Sequence, residues 1–362
     1  MTTLILPPLA MHMANELLSV PIAGLTLAVA AILVLIAARR ARRATTDDRL
    51  PLMGVMGAFI FAAQMINFTL PGMPGTSGHL GGGVLLAILL GPTAGIVTMA
   101  AILMVQCLLF QDGGLLALGC NVINMGVIPC LLGWGLYRLV LGPVAKAAAW
   151  RQYLAAWLAC VVGVTAGAAM VPVEAAVSGV LQVPFRHFLG VMIGVHLVIG
   201  LCEGAITFAV IAYLRRVRPE LLGLAADDAP VAGRGPGYGV VMASLLGTAL
   251  LLAGVVSWFA STLPDGLEWS YSQHRYGAVE KAVQNKSPVV LAVDQWQTRW
   301  SPMTDYNRRG APLGELPAAE PNEPESAWPN ASGWRSVAGV LGTIITLGIL
   351  YGLSWWMRKK AV

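Results

Sequence analysis

Charged residues are scarce in this sequence. Only 11% of the 362 residues are charged and 57% are hydrophobic, whereas soluble domains carry about 25% charged residues. This balance excludes an ordinary water-soluble domain. The sequence instead contains long apolar runs, among them 19–38, 153–173 and 188–213. Each of these three runs is long enough to cross a hydrocarbon core about 30 Å thick. The composition predicts an all-α, polytopic membrane protein.

Motifs for nucleotide binding and hydrolysis are absent. No lysine in the sequence follows a glycine, so there is no G-x-x-x-x-G-K-[ST] P-loop, and any ATP-driven transport needs a partner chain. The sequence also lacks H-E-x-x-H and G-x-S-x-G. Ser77 precedes His79 by two residues, but no orienting acid accompanies the pair. We therefore predict that the chain is not an enzyme.

Cysteine chemistry and a secretory leader are not indicated either. All five cysteines fall in apolar runs and none lies in the long polar segment, which argues against a disulfide framework or a CxxC metal site. Residues 1–18 lack a basic n-region and a small-residue cleavage site, so they do not match a signal peptide.

The basic residues indicate the orientation in the membrane. We predict nine spans, at 19–38, 51–68, 80–91, 93–111, 116–141, 152–178, 187–215, 237–260 and 335–357. With the N-terminus outside and the C-terminus cytoplasmic, the inner ends collect Arg39, Arg40, Arg42, Arg43, Arg49, Arg138, Lys146, Arg151, Arg215, Arg216, Arg218, Arg234, Arg358, Lys359 and Lys360. This bias satisfies the positive-inside rule. Basic residues at the ends of spans are typical of contact with membrane lipid, not with nucleic acid.

A domain boundary follows the seventh span. The first module covers residues 11–218, and a Pro/Gly-rich cytoplasmic linker covers 219–236. The second module, 237–362, has two spans with an outer polar segment at 261–334 between them. The stretch 312–329 is acidic and proline-rich, which predicts disorder.

Two of the five histidines are predicted to lie on the same side of the membrane. His12 precedes the first span, and His79 follows the second span within a glycine-rich loop. Glycines beside His79 let the backbone approach closely, which suits a compact site. Spacing alone leaves open whether the two share a site or are unrelated loop histidines. His187 and His274 are expected to be surface residues.

Several sequence blocks resemble the CbiM/NikM family, the substrate-specific components of energy-coupling-factor transporters for cobalt and nickel. The blocks are MHMANELLS (11–19), PLMGVMGAFIFAAQMINF (51–68), GTSGHLGGG (75–83) and DGGLLALGCNVINMG (112–126). In the second module, Pro264-Asp265-Gly266-Leu267-Glu268 is similar to the PDGLE signature of the small CbiN/NikN-type partner, fused here to the same chain.

The resemblance implies a set of metal ligands: the Met11 nitrogen, the amide and imidazole of His12, and the imidazole of His79. The Met11 and His12 nitrogens would close a five-membered chelate ring, and the His12 amide and imidazole a six-membered one. A deprotonated amide suits square-planar Ni(II), although the family also accepts cobalt. The metal is the transported substrate, and no cofactor is expected.

The sequence departs from this pattern at its start. Met11 is internal, so its nitrogen is an amide, and residues 1–10 would crowd the site. We expect the functional chain to start at Met11, through a misassigned start or trimming.

Amide side chains and one hydroxyl are candidates for orienting the ligands. Gln64 and Asn67 lie three residues apart on one side of the second span, and Asn121 and Asn124 repeat this spacing in the fifth. Together with Ser77 they could orient the His79 loop. Ordinary hydrogen bonding between helices is the equally open alternative.

His196 and Glu203 are candidate functional residues inside the membrane. They lie seven residues apart on one face of the seventh span, about 10 Å from each other. Ionisable groups at that depth are costly and often functional, although a role in packing is also open.

The prediction is a seven-helix substrate-binding bundle followed by a two-helix module, which captures Ni²⁺ or Co²⁺ from outside. Its implied partners are a transmembrane coupling (T) subunit and ABC ATPase subunits. The alternative, a stand-alone divalent-cation channel or secondary carrier, requires acidic residues along a continuous path, and we expect little beyond Glu203. The role of the PDGLE-like module and the choice between nickel and cobalt stay open.

Overall fold

The computed structural model describes residues 12–44, 50–142, 148–180, 183–222, 237–272, 287–307, 329 and 333–357. Within these ranges the chain is almost entirely helical, and six helices are long and apolar enough to cross a membrane. Helices prevail because lipid offers backbone groups no hydrogen-bond partners. The first long helix exposes Leu25, Ile32 and Leu35 by half of their surface or more, as expected for side chains that face lipid.

The first module is a helical bundle. In chain order its α-helices are α1 Val20–Ala44, α2 Leu50–Gln64, α3 Gly83–Leu90, α4 Pro92–Val105, α5 Leu118–Asn121, α6 Trp134–Leu141, α7 Ala149–Ser178 and α8 Phe185–Val217. Short 3₁₀ turns lie at Asn15–Leu17 and Pro219–Leu222. A two-stranded antiparallel hairpin joins β1 (Phe68–Thr69) to β2 (Ser77–Gly78), with Phe68 opposite Gly78 and Thr69 opposite Ser77.

Three predicted spans differ from the observed helices. The predicted span 80–91 is the eight-residue helix α3, about 12 Å long, which cannot cross a bilayer. It ends at Gly91 (φ +84°), and Pro92 starts α4. In the predicted span 51–68 the helix ends at Gln64, because the chain then enters the hairpin.

The predicted span 116–141 crosses as an interrupted helix. Two π-helical segments, Val122–Val127 and Pro129–Gly133, lie between α5 and α6. Pro129 lacks the backbone N–H that a continuous α-helix would use, and such π segments recur at functional sites. A further π segment, Gln106–Phe110, extends α4.

The second module packs against α2. Its described α-helices are α9 Tyr238–Gly254, α10 Gly266–Ser272, α11 Pro288–Trp300 and α12 Gly333–Met357. A Cβ added at Gly57 of α2 would overlap Leu350 of α12, and one added at Gly342 of α12 would overlap Phe61 of α2. Glycine on both helices therefore allows the close contact that joins the modules.

The loops gather at one end of the bundle, which we call the site end. It holds the segment before α1, the hairpin, the loop between α4 and α5, and the α10 and α11 region of the second module. A small apolar cluster joins the segment before α1 to α8 and α10, with Met13, Leu17, Phe188, Met192 and Leu267 among its buried members. Residues 223–236 of the predicted linker, residues 312–328 of the predicted disordered stretch, and His274 lie outside the described residues.

Candidate metal centre

His12 and His79 meet at the site end. Their ring centroids are 5.3 Å apart, and both side chains line one cavity of about 80 Å³. An imidazole whose nitrogen lies about 2.1 Å from a metal has its centroid about 3.2 Å from it. Two such rings would therefore have centroids about 4.5 Å apart at the 90° angle of a square-planar ion and about 5.2 Å apart at a tetrahedral angle. The observed spacing is that of two imidazoles able to share one ion.

His12 is buried and paired with an acid. Its Nδ1 lies 2.7 Å from Asp112 Oδ1, while its Nε2 is buried without a hydrogen-bond partner among the described residues. Burial by itself lowers the pKa of His12, but the Asp112 carboxylate outweighs burial and holds the pKa above its ordinary value. The same pairing holds the pKa of Asp112 below its ordinary value despite burial. In this orientation Asp112 occupies Nδ1 of His12, and Nε2 is the ring nitrogen left free.

The ring orientation differs from the one that the predicted chelate requires. Only Nδ1 of a histidine can close a six-membered ring with the residue's own amide nitrogen, and Nδ1 of His12 is engaged by Asp112. The chelate would need the ring to turn about the Cβ–Cγ bond. Met11, the other predicted ligand, lies outside the described residues.

The segment that carries His12 is held by Asn121. The Asn121 Oδ1 accepts from Met13 N at 3.0 Å, and its Nδ2 donates to Met13 O at 3.2 Å. Met13 O also accepts from Gly114 N at 2.9 Å. At Gly113 (φ +88°), an added Cβ would lie 2.9 Å from the Cβ of His12. Glycine at position 113 therefore lets this loop lie directly against His12.

The His79 loop is held by Glu203 and Gln64. The Glu203 carboxylate accepts from Gly81 N at 2.7 Å and from Gly82 N at 3.1 Å, and Gln64 Nε2 donates to Gly81 O at 2.8 Å. His79 Nδ1 donates to Leu80 O at 3.1 Å. Glu203 is thus a loop anchor beneath His79, and this contact explains its place in an apolar helix.

The predicted orienting residues divide between the two ligand segments. Gln64 contacts the His79 loop, as described above. Asn121 and Asn124 lie against the segment that carries His12 instead, because the π-helical run packs beside the segment before α1. Asn124 Nδ2 also donates to Glu174 Oε2 at 2.7 Å. Asn67 contacts neither ligand in the described structure, and its carbonyl accepts from Ser261 N at 2.7 Å. Glu174 is a buried acid of α7 that was not among the predicted site residues.

His196 lines the same cavity from α8. Its Nδ1 donates to Met192 O at 2.8 Å, the carbonyl one turn earlier. His196 therefore lies beside the histidine pair, whereas Glu203 bonds the backbone of the His79 loop.

The PDGLE-like motif forms part of the cavity wall. Ser77 N and Oγ donate to Pro264 O and Leu263 O at 2.8 and 2.7 Å, and Asp265, Gly266 and Leu267 line the cavity. A Cβ at Gly266 would overlap Val195 of α8. No residue of this module reads as a strong metal ligand from the sequence, and no local pattern indicates that the motif reaches the histidines.

Asp265 and Glu268 of the motif cap the start of α10. Glu268 N donates to Asp265 Oδ1 at 2.8 Å, and Asp265 N donates to Glu268 Oε2 at 3.2 Å. This reciprocal pairing is a capping box. It fixes the turn that presents Gly266 to α8.

Protein-family comparison agrees with the geometry. The model of the cobalt uptake substrate-specific transmembrane region, CbiM, matches residues 12–221. The chain belongs to the CbiM family. The PDGLE domain model matches residues 239–359, so the chain is a fusion of a CbiM region (12–221) with a PDGLE region (239–359).

Related proteins include fused and unfused forms. The chain is 31% identical over 350 residues to a protein of Archaeoglobus fulgidus described as a fused nickel transport protein, NikMN, covering 96% of this chain and 99% of that one. It is 32% identical over 264 residues to the cobalt transport protein CbiM of Geobacter sulfurreducens, covering 68% and 73%. A crystal structure of a transition metal transporter matches with a TM-score of 0.50 at 30% identity, covering 56% of this chain and 92% of that one.

Proposed function

We propose that this chain is the substrate-capture component of an energy-coupling-factor uptake transporter for Ni²⁺ or Co²⁺. The observation that carries the proposal is the meeting of His12 and His79, 5.3 Å apart, on a buried cavity at the site end. Relatives named as nickel and cobalt transport proteins support the choice of metals. Imidazole is a good ligand for both ions.

The ligand set that we propose is the imidazoles of His12 and His79, completed by backbone nitrogen. Among the described residues, no group of three or more His, Cys, Asp or Glu side chains could hold a metal ion. Two imidazoles leave a four-coordinate ion incomplete. The Met11 nitrogen and the His12 amide are the adjacent donors that the family resemblance implies, so we retain both, with Met11 as the functional start and the His12 ring turned from Asp112 so that Nδ1 binds the ion.

We propose that the site end faces the outside of the cell membrane and the C-terminus the cytoplasm. The excess of basic residues at the opposite ends of the spans supports this orientation. Because the sequence has no P-loop, release of the metal inward would depend on a coupling subunit and on ATPase subunits in other chains.

A stand-alone channel or carrier gains little from the structure. The two buried acids of the spans, Glu174 and Glu203, are hydrogen-bonded to Asn124 and to the Gly81–Gly82 backbone, and neither lines the cavity. A permeation path would instead present its acids to the ion.

The proposal is tested by metal content. Purified full-length chains starting at Met1 and at Met11 would be loaded with Ni²⁺ or Co²⁺ and analysed by inductively coupled plasma mass spectrometry. We expect near-stoichiometric metal in the Met11 form, lost in His79→Ala and retained in His187→Ala, a histidine that does not line the cavity. Equal binding by both starts would exclude the terminal amine as a ligand. Absence of binding in both would overturn the capture function.

A further inference from the structure

Helix α11 of the PDGLE region carries an apolar stripe along one side. The helix has 13 residues, which makes it about 20 Å long. Val289, Val293, Trp296 and Trp300 follow one another at i, i+4, i+7 and i+11, so they share one side of the helix. Val289 and Trp296 are each 48% exposed and Trp300 is 62% exposed. These four residues are called the α11 stripe below.

A second side of α11 is bound to the CbiM region. Gln297 is buried, and its Nε2 donates to Cys107 O at 3.0 Å and to Gly113 O at 2.8 Å. Just past the end of the helix, Ser301 Oγ donates to Leu108 O at 3.0 Å. These bonds fix how the helix is rotated about its axis, and therefore which way the α11 stripe faces.

The remaining sides of α11 are mostly polar. Gln295, Thr298 and Arg299 are exposed there, and Leu291 is the one large apolar side chain of α11 among them. The helix therefore has a side bound to protein, an apolar side and a polar side. A helix that lies in the plane of a membrane surface has such a division, with its apolar side in the boundary between headgroups and acyl chains.

The α11 stripe adjoins the surface that faces lipid. Met104 and Leu108 are exposed near the end of the spanning helix that begins with α4. The Leu108 carbonyl accepts from Ser301, the residue next to Trp300. Towards its other end, the stripe forms an open groove with Leu115, in the loop before α5. The helix thus lies where the spans reach the membrane surface, the level at which tryptophan is enriched in membrane proteins.

We propose that α11 is an interfacial helix whose stripe inserts among the phospholipids of the leaflet at the site end. Continuity with Met104 and Leu108 favours lipid over a protein partner, because a protein seated on the stripe would also have to displace the acyl chains beside Leu108. The inference goes beyond metal capture. It assigns to the PDGLE region a lipid-binding surface in addition to its two spanning helices.

The test is site-specific photocrosslinking in a bilayer. The full chain, with p-benzoylphenylalanine at position 296 or 300, would be placed in vesicles of phosphatidylethanolamine and phosphatidylglycerol and irradiated. This residue is apolar and aromatic like the tryptophan that it replaces. We expect the mass of the α11 peptide to shift by that of one phospholipid.

The matched control has the same photoreactive residue at position 295. Gln295 is one residue from Trp296 but lies on the polar side of α11, so we expect no lipid adduct there. The comparison keeps the helix, the vesicle and the chemistry the same and changes only the side of the helix.

A second measurement needs no substitution. The wild-type chain would be irradiated in the same vesicles containing a phosphatidylcholine with a diazirine near the carbonyl end of one acyl chain. Peptide mapping should find lipid adducts on the α11 stripe, with adducts on Leu108 as the internal standard for contact with lipid at that depth.

The outcomes decide the proposal whatever the metal site proves to be. Lipid adducts at positions 296 and 300 but not 295, together with labelling of the wild-type stripe, would support it. Crosslinks from position 296 to another protein chain, equal lipid adducts at 295 and 296, or an unlabelled stripe beside a labelled Leu108 would each overturn it.

Discussion

Replacing Asn121 with alanine should loosen His12 without touching it. Asn121 accepts from Met13 N and donates to Met13 O, so alanine removes both bonds next to His12. Met13 O keeps its bond from Gly114 N, whereas Met13 N is left as a buried donor without an acceptor. A buried unsatisfied donor costs about 1–3 kcal/mol, and a lost hydrogen bond costs about 1 kcal/mol.

These terms sum to about 2–4 kcal/mol against the docked His12 segment. If binding requires that segment to be docked, Ni²⁺ affinity should fall by about 30-fold to several hundred-fold. Titration calorimetry on the full chain measures the change directly.

Asn67→Ala is the matched control, because Asn67 belongs to the same predicted set and contacts neither ligand segment in the described structure. Its affinity should stay near wild type. Equal affinities for Asn121→Ala and Asn67→Ala would refute the view that Asn121 holds the His12 segment.

Glu203→Ala should leave two buried N–H groups without an acceptor and lower the free energy of unfolding by about 2–6 kcal/mol. The loss should appear as a lower melting temperature in detergent, and an unchanged melting temperature would contradict the anchor role. Gly266→Ala should displace α10 from Val195 at a cost of about 1–3 kcal/mol, seen as faster hydrogen exchange in Gly266–Ser272. Gly247→Ala is the control, since position 247 has open space around it, and it should leave this exchange unchanged. Burial raises the pKa of Asp265, so the folded state retains a proton that the unfolded state releases near pH ~4. The stability that this proton gives to the folded state is lost as the pH rises through the raised pKa. Asp265→Asn should therefore reduce the loss of stability with rising pH, measured by hydrogen exchange at several pH values. Ni²⁺ at a hundred times its Kd should stabilise the wild type by about 2.7 kcal/mol in a thermal melt, with no such gain in His79→Ala.

The placement of His12 and His79 on the same side of the membrane could be predicted because it depends on topology, whereas only the family resemblance implied that the two histidines share a site. Each histidine adjoins the end of an apolar run, and the two ends lie on the same side of the membrane. The break between α3 and α4 could also be predicted, because the adjacent Gly91 and Pro92 are a local signal for the end of one helix and the start of the next. Glu203 was identifiable as unusual, since an acid in an apolar run requires a partner.

The partners of these residues could not be predicted, because they come from distant parts of the chain. Asp112 lies 100 residues from His12, and Tyr306, whose hydroxyl donates to Asp112, lies 194 residues from it. Neither pair carries a local pattern in the sequence. Asn67 and Asn121 share the same spacing argument, and only packing separates the one that holds Met13 from the one that does not.

The predicted spans were too long where the chain leaves the regular α-helix within an apolar run. Hydropathy continues through 65–68 and 122–133, but the chain turns into a hairpin in the first stretch and into π-helix in the second. Both interruptions lie beside the histidine cavity, where the backbone departs from regular helix to position side chains.

The central claim is that His12 and His79 bind one transported ion together. Nickel K-edge X-ray absorption of the loaded full chain counts imidazole ligands through their outer-shell scattering. The account predicts two imidazoles per nickel in the wild type and one in His79→Ala, if that variant can be loaded at high metal concentration. A spectrum without imidazole scattering, or one unchanged by His79→Ala, would contradict it.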